Sequence, residues 1–334
     1  MKILVYNTAA SEGGALTILK MYYDNAKKDK NNNYKFIVST NCIEKADNIE
    51  VEIYSKPKKN WIQRILFDRF DAPKIINYYN PDVVYNLQNI IINGINAQQI
   101  IYMHQSLPFS NVKISICESK KLWVYQNIIG KRIKSSCRKA DKIIVQTQWI
   151  RDAIIEKCKI NEDKILLEAP NIDVSNIKTY AHITGQEIEF FYPANGSFFK
   201  NHNIIIDALI LLSNEGYNPK MTFTLYGNEN KSIALLKKQC VNYNLNVQFI
   251  GTISKNHVYD YYSRTVLLFP SYIESFGLPL LEAKNSGTPI VAANTDFARE
   301  ILVNYSNVQF FDYKNVKALS DIILQIYNDS IEQE

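Results

Sequence analysis

Two glutamates, Glu274 and Glu282, bracket a turn and a helix start in the stretch Pro270 to Pro289, PSYIESFGLPLLEAKNSGTP. The apolar run Val266-Leu267-Leu268-Phe269 predicts a buried strand leading into it, and Gly277-Leu278-Pro279 predicts the opening of a short helix. A proline at the first helical position costs little, because its N–H would have had no partner there. The remaining N–H groups and the positive end of the helix dipole suit an anion such as phosphate, and Gly277 lets the backbone come close. Carboxylates accept hydrogen bonds from hydroxyls. A sugar joined to a diphosphate offers both kinds of group, so this spacing points to a nucleotide-sugar site. An ordinary strand-loop-helix with solvated glutamates would carry the same residues, and the rest of the chain must separate the two.

Other chemistries lack their residues. There is no Asp-x-Asp to bridge a diphosphate through a metal, and the histidines and cysteines lack metal-ligand spacing. GxSxG is absent, and so is a GxGxxG turn after the first strand, which sets aside a nucleophile-elbow hydrolase and a dehydrogenase. His104 stands at the carboxyl end of the apolar run Ile100 to Met103, where site residues collect. His182, His202 and His257 lie in polar loops or beside helix starts and read as surface residues.

At 334 residues the chain can bury two ordinary cores, and 21% charged with 46% apolar content is globular. A net charge of +5 is too mild to imply nucleic acid. The five cysteines are odd in number and scattered, as expected of reduced packing residues. Met1 to Tyr6 runs straight into a strand-like segment with no leader pattern, and no window has the roughly 18 apolar residues of a membrane span. A cytoplasmic chain is expected.

Strand-like runs alternate with helical periodicity throughout, which predicts parallel sheets covered on both faces. In the first half, strands are expected at Lys2–Tyr6, Lys35–Ser39, Asp82–Tyr85, Ile100–Met103 and Lys142–Val145, with helices at Ala15–Lys27 and Gln148–Lys157. Gly13-Gly14 reads as a tight strand-to-helix turn that brings backbone N–H groups to the sheet edge. The polar stretch Val174 to Glu187 divides the chain into domains over 1–178 and 186–334. The second half repeats the pattern, with strands at Ile188–Tyr192, Thr222–Tyr226, Val247–Ile250, Val266–Phe269, Pro289–Ala292 and Val308–Phe311. Two doubly wound α/β domains follow, with a shared site expected in a cleft between them.

The run Glu274 to Glu282 resembles the E-x7-E motif of the family 4 (group 1) retaining glycosyltransferases, whose GT-B fold has two Rossmann-like domains. The resemblance covers most of the chain: Gly13-Gly14 matches the acceptor-side glycine loop, Ala140 to Val145 a family strand, and Pro170-Asn171-Ile172-Asp173 the segment before the linker. Lys200-Asn201, Tyr226-Gly227, Phe249-Ile250-Gly251 and Ala298-Arg299-Glu300 fall in family order. The resemblance implies that Glu274 contacts the hydroxyls of the donor sugar and Glu282 the ribose. It places the N–H groups of Phe276, Gly277 and Leu278, beside Ser275, on the sugar and diphosphate, Lys200 on the phosphates, and backbone near Ile253 on the base. It also places His104 near the reacting centre, with Gly13 and Gly14 at the donor. The family usually has an arginine where Asn195 stands here, so one phosphate cation is missing or replaced.

Two basic, aromatic stretches remain: Lys56 to Lys74, with Trp61, Ile65 and Leu66 at helical spacing, and Lys120 to Lys142, with Trp123. They fit peripheral contact with an anionic membrane, against the alternative of a solvated face over a buried stripe. The expected activity is a retaining, metal-independent hexosyltransferase with no cofactor. It would use a nucleotide-diphosphate sugar, UDP favoured over GDP, and a glycan or lipid-linked acceptor in surface-polysaccharide synthesis at the inner membrane face. The rivals are a sugar-nucleotide epimerase of the same fold and a non-enzymatic membrane or nucleic-acid binder.

Overall fold

The computed structural model describes residues 1–10, 13–170, 175–181 and 188–331. The chain forms two compact units, Met1–Pro170 and Asn171–Glu334. Described residues of the expected linker belong to the second unit: the Tyr180 N–H donates to the Ser286 carbonyl (2.6 Å), and that of Ala181 to Ser263 (2.9 Å). The division therefore falls before residue 178, at Pro170.

Among the described residues the first unit holds seven strands, β1 (Lys2–Asn7), β2 (Asn33–Val38), β3 (Ile49–Ile53), β4 (Val83–Asn86), β5 (Gln98–Tyr102), β6 (Lys142–Val145) and β7 (Ile165–Leu167). Its helices are α1 (Gly13–Lys28), α2 (Lys56–Lys59), α3 (Trp61–Leu66), α4 (Ala72–Tyr79), α5 (Lys120–Val124), α6 (Gly130–Lys139) and α7 (Gln148–Cys158). All strand pairs are parallel, in the order β3-β2-β1-β4-β5-β6-β7. The order reverses beside β1, whose residues Ile3 to Asn7 are all buried because helices cover both faces. Alternate residues feed opposite cores: Val5 packs with Leu19 of α1 and Phe36, whereas Leu4 and Tyr6 pack with Ile37 and Ile76 of α4.

Among its described residues the second unit has six parallel strands, β8 (Glu189–Tyr192), β9 (Lys220–Phe223), β10 (Val247–Phe249), β11 (Val266–Phe269), β12 (Ile290–Ala293) and β13 (Val308–Phe311), in the order β10-β9-β8-β11-β12-β13. Helices α8 (His202–Asn214), α9 (Lys231–Asn242), α10 (Lys255–Tyr262), α11 (Leu278–Ser286), α12 (Asp296–Ile301) and α13 (Val316–Ile331) connect and cover them. Every residue of β8, β11 and β12 is buried, as a sheet covered on both faces requires; β11 and β12 are wholly apolar, and Glu189 at the start of β8 accepts from the Thr222 hydroxyl (2.6 Å). Here the order reverses between β8 and β11. Both units thus have the doubly wound topology expected from the alternating pattern.

In the second basic stretch Ile133 and Cys137 of α6, with Ala140, form a buried stripe under a solvated face, but the first stretch departs from that arrangement. Trp61, Ile62 and Phe70 are exposed, at 70%, 55% and 53%, and the buried positions are instead Phe67, Asp68, Ala72 and Ile76. A π-turn over Phe67–Asp71 joins α3 to α4, and a second over Tyr125–Ile129 joins α5 to α6. The first turns the adjacent residues Phe67 and Asp68 inward together. The Asp68 Oδ1 accepts from the Tyr6 hydroxyl (2.6 Å) and the Gln88 amide (3.5 Å). Arg132 of α6 reaches its other oxygen at 3.9 Å. Gln88 in turn accepts from Thr8 (3.1 Å) and Arg64 of α3 (3.2 Å), so one buried carboxylate ties both basic stretches to the edge of β1.

Burial pushes the Asp68 carboxyl above the usual carboxylate range, against Tyr6 and the two arginines. Such a group favours the folded state when protonated, and that contribution is lost as pH rises through its folded pKa. We expect Asp68→Asn, which keeps an acceptor for Tyr6, to melt at or above wild type at pH 7.5, with the difference shrinking toward pH 4. Asp68→Ala should lose about 1–3 kcal/mol, because a buried hydroxyl loses its acceptor. Thermal melts at the two pH values test this, and equal losses in the two variants at pH 7.5 would refute it.

Candidate functional site

In a doubly wound sheet the loops after the strands at the reversal point diverge and leave room for a ligand. In the second unit those are the loops after β8 and β11, and they carry most of the residues singled out by sequence. Beyond β8, Asn195 makes a turn in which its Oδ1 accepts from the Ser197 N–H (3.1 Å), and a single 3-10 turn, Phe198–Lys200, follows. Asn201 then adopts the left-handed conformation (φ 57°), tolerated by asparagine, and its amide donates to the Tyr313 carbonyl (2.9 Å). Beyond β11, the Tyr272 N–H donates to the Phe199 carbonyl (3.2 Å), which stitches the two loops together.

Lys200 and Glu274 meet between these loops. The ammonium donates to Glu274 Oε1, and both side chains are largely buried, at 14% and 16% exposure. The Ser271 hydroxyl also reaches Glu274 Oε1 (2.7 Å), and the buried Tyr192 hydroxyl donates to the Lys200 carbonyl (2.9 Å). Lysine, glutamate, serine and tyrosine therefore form one polar cluster above the carboxyl edges of β8 and β11. The charges are held rather than solvated, which argues against the solvated-glutamate reading of Glu274.

Gly277 follows as the residue before α11, with φ 93°. An added Cβ there would make only ordinary contacts, with Ile301, Leu280 and Phe297 at 3.5 Å, so glycine is required by the backbone angle and not by space. Leu278 and Pro279 begin α11, and Phe276 is buried beneath its start. The first turn of a helix leaves N–H groups without partners inside the helix, so Leu278 and its neighbours bring donors to the side that bears Glu274. Glu282, one turn further on, is buried, with Lys255 of α10 at 3.5 Å. Burial pushes its carboxyl up, while Lys255 and Tyr262 hold it down. Ile253 lies just before α10, after Gly251 (φ 73°), where a Cβ would stand 2.4 Å from the Tyr226 ring.

The residues expected in the first unit sit at its own sheet edge. Gly13 is the first residue of α1, with Gly14 next, so the pair opens the helix instead of forming a turn before it. The turn is organised by Asn7, whose Oδ1 accepts from the N–H groups of Ala9 (3.2 Å) and Ala10 (3.0 Å). Nothing lies within 4 Å of a Cβ built on Gly14. His104 follows β5, anchored by Asn89, whose Oδ1 accepts its N–H at 2.6 Å. Its Nε2 lies 3.0 Å from the Leu87 carbonyl, which can only accept, so Nε2 holds the proton and Nδ1 is the acceptor. Burial of the ring lowers its pKa to about 4, against the bond to Leu87.

His202 corrects the sequence reading. It is buried, with its ring 4.9 Å from Tyr192 and 5.3 Å from Phe223, because the first turn of α8 faces the sheet. His257 is exposed, as expected, and His182 lies outside the described residues. Sequence reasoning missed Ser271 and Lys255. Ser271 lies three residues before Glu274, a local spacing that could have found it, whereas Lys255 meets Glu282 only through the packing of α10 on α11.

Residues 175–334 match the family model of glycosyl transferases group 1. The O-antigen chain mannosyltransferase RfbU of Salmonella typhimurium is 20% identical over 224 residues, which span 64% of this chain and 61% of that protein. The O-antigen chain mannosyltransferase B of Escherichia coli is 32% identical over 89 residues, covering 26% and 23% of the two chains. The chain thus matches less than two thirds of either relative. The crystal structure of Anabaena Alr3699/HepE in complex with UDP-glucose superposes with a TM-score of 0.71 over 100% of this chain and 91% of that one, at 16% identity. Over residues 175–334 the chain matches the glycosyl transferases group 1 family, and its two Rossmann-like units have the GT-B fold.

Proposed function

We propose that this protein is a retaining glycosyltransferase that moves a hexose-type sugar from a nucleotide diphosphate to a saccharide or lipid-linked acceptor in surface-polysaccharide synthesis. The observation that carries the reading is the buried Lys200–Glu274 pair beside the start of α11. A cation and helix N–H groups can take the charge of a departing diphosphate without a metal, and a carboxylate can hold the hydroxyls of the transferred sugar. Glu282 accepts from the ribose, backbone near Ile253 meets the base, and Phe276, Gly277 and Leu278 line the diphosphate with Ser275 and Asn195. A UDP-sugar donor is supported by the Anabaena neighbour, whose structure holds UDP-glucose. A polysaccharide product is supported by the two relatives, each named an O-antigen chain mannosyltransferase.

The acceptor hydroxyl attacks on the face from which the diphosphate leaves, so the anomeric configuration is kept. Its proton passes to the leaving phosphate. Glu274 is engaged by Lys200 and Ser271, and burial makes the His104 ring a weak base, so neither competes for that proton. His104 stays neutral at the carboxyl edge of β5.

The acceptor is presented at an anionic membrane surface by the two basic stretches. Among the described residues no helix is long and apolar enough to cross a membrane. Trp61, Ile62, Phe70 and Ile128 are nonetheless exposed alongside Lys56, Lys58, Lys59 and Lys121, a pairing that suits contact with acidic headgroups.

Three outcomes are expected. Glu274→Gln, which keeps size and removes charge, should lower kcat with UDP-sugars by about a hundredfold or more while the fold survives by circular dichroism. Turnover equal to wild type would overturn the proposal. Isotope-edited NMR should find the His104 ring neutral and protonated on Nε2 from pH 8 down to about pH 5, since its pKa is lowered and charging is delayed to more acid pH. A midpoint near 6.5 would contradict the burial of the ring. In vesicle sedimentation, phosphatidylglycerol should retain the protein where phosphatidylcholine does not. Trp61→Ala with Phe70→Ala should cut that retention about tenfold or more, from loss of roughly 1.5–3 kcal/mol of burial per ring. Equal binding to both lipids would remove the membrane from the reading.

A further inference from the structure

The two acids of the site are each met by a lysine, and the two pairs are built differently. Lys200 and Glu274 are both largely buried and in direct hydrogen bond. Lys255 and Glu282 stand 3.5 Å apart with unequal exposure, 57% for the lysine and 10% for the glutamate. The carboxylate faces inward and the ammonium faces solution, so a ligand arriving from solution meets the ammonium first. Lys255 is fixed at its base. It is the first residue of α10, behind Ser254, whose Oγ accepts from the His257 N–H (3.3 Å), and its Nζ lies 5.4 Å from the Tyr259 ring centre.

We propose that Lys255 is a positioning residue for the nucleoside of the donor, holding Glu282 in place as the acceptor for the ribose hydroxyls. The inference rests on the assignment of Glu282 to the ribose and adds to it a residue that neither motif nor spacing indicated. An ionised carboxylate offers acceptors only, so it selects a ligand that brings hydroxyl donors, whereas a protonated one brings a donor of its own and weakens that choice. The groups facing the Glu282 carboxyl are Lys255 and Tyr262, both on α10, with Tyr259 beside the lysine. Burial acts to protonate the carboxyl, and Lys255 is the largest influence against it. Without the lysine the folded pKa of Glu282 rises, so the acceptor form is lost first at acid pH and returns as pH rises.

The test is calorimetric titration of UDP, and of GDP in parallel, into wild type, Lys255→Met, Lys255→Arg and Glu282→Gln between pH 5.5 and 8.5. Lys255→Met should bind the nucleotide about two- to fivefold more weakly at pH 6 and recover toward wild type at pH 8.5. Lys255→Arg should follow wild type throughout, and 2′-deoxy-UDP should lose less relative to UDP in Lys255→Met than in wild type. A Lys255→Met profile that matches wild type, or one that is weakened equally at every pH, overturns the inference while leaving the ribose assignment intact. Nucleotide binding unchanged in Glu282→Gln, or absent from wild type, overturns the assignment itself.

Discussion

A lysine and a glutamate held together out of water are the constraint on which the second unit's functional surface depends. Removing two charges from water costs several kcal/mol each, and their attraction offsets this only when geometry is tight and the remaining polar atoms are satisfied. Lys200 and Glu274 meet that requirement because the loops after β8 and β11 are stitched by Tyr272 to Phe199 and by Asn201 to Tyr313. Ser271 and Tyr192 supply the neighbouring hydroxyls. Were either loop to relax, one charge would be left buried alone. The pair is therefore both a product of the loop conformation and a reason for it, and it keeps a cation and an acceptor ready beside the helix start before any ligand arrives.

How much of the fold could be read in advance follows from how each strand is buried. β11 is a continuous, fully buried apolar run, and its limits coincide with the sequence reading. β3, IEVEI, was not recognised. It lies at the sheet edge and alternates buried with more exposed residues over five positions, a pattern too short to separate from a polar loop. Its acids are explained only by the neighbouring strand: the buried Lys35 of β2 lies 3.4 Å from Glu50 and 2.5 Å from Glu52. A charge whose partner lies on another strand leaves no trace in local periodicity.

The site divides in the same way. Glu274, Gly277 and Glu282 were legible because strand, turn and helix start are consecutive in the chain, and the left-handed angle at Gly277 is a local demand. The glycines at 13 and 14 were legible as residues but not in their role, since Asn7 rather than either glycine closes the turn after β1. His202 was misread because nothing local distinguishes a helix-start histidine facing solvent from one facing a sheet. Here Tyr192 and Phe223 enclose the ring, and burial lowers its pKa to about 3, so it stays neutral.

Asp68 shows how the same logic extends to the first unit. A regular α-helix through Phe67 to Asp71 would spread consecutive side chains by about 100° each, so Phe67 and Asp68 would not both turn fully inward. The π-turn widens the backbone there and lets both do so. With Asp68 committed to Tyr6 and approached by Arg132 of α6, the preceding helix cannot roll its own apolar residues under, and Trp61 and Ile62 stay outside. Burying a carboxylate and exposing a tryptophan are each unfavourable in water, and one turn of backbone enforces both. An environment that receives the tryptophan while the carboxylate stays satisfied removes half of that conflict, and a lipid interface with acidic headgroups around the flanking lysines is such an environment.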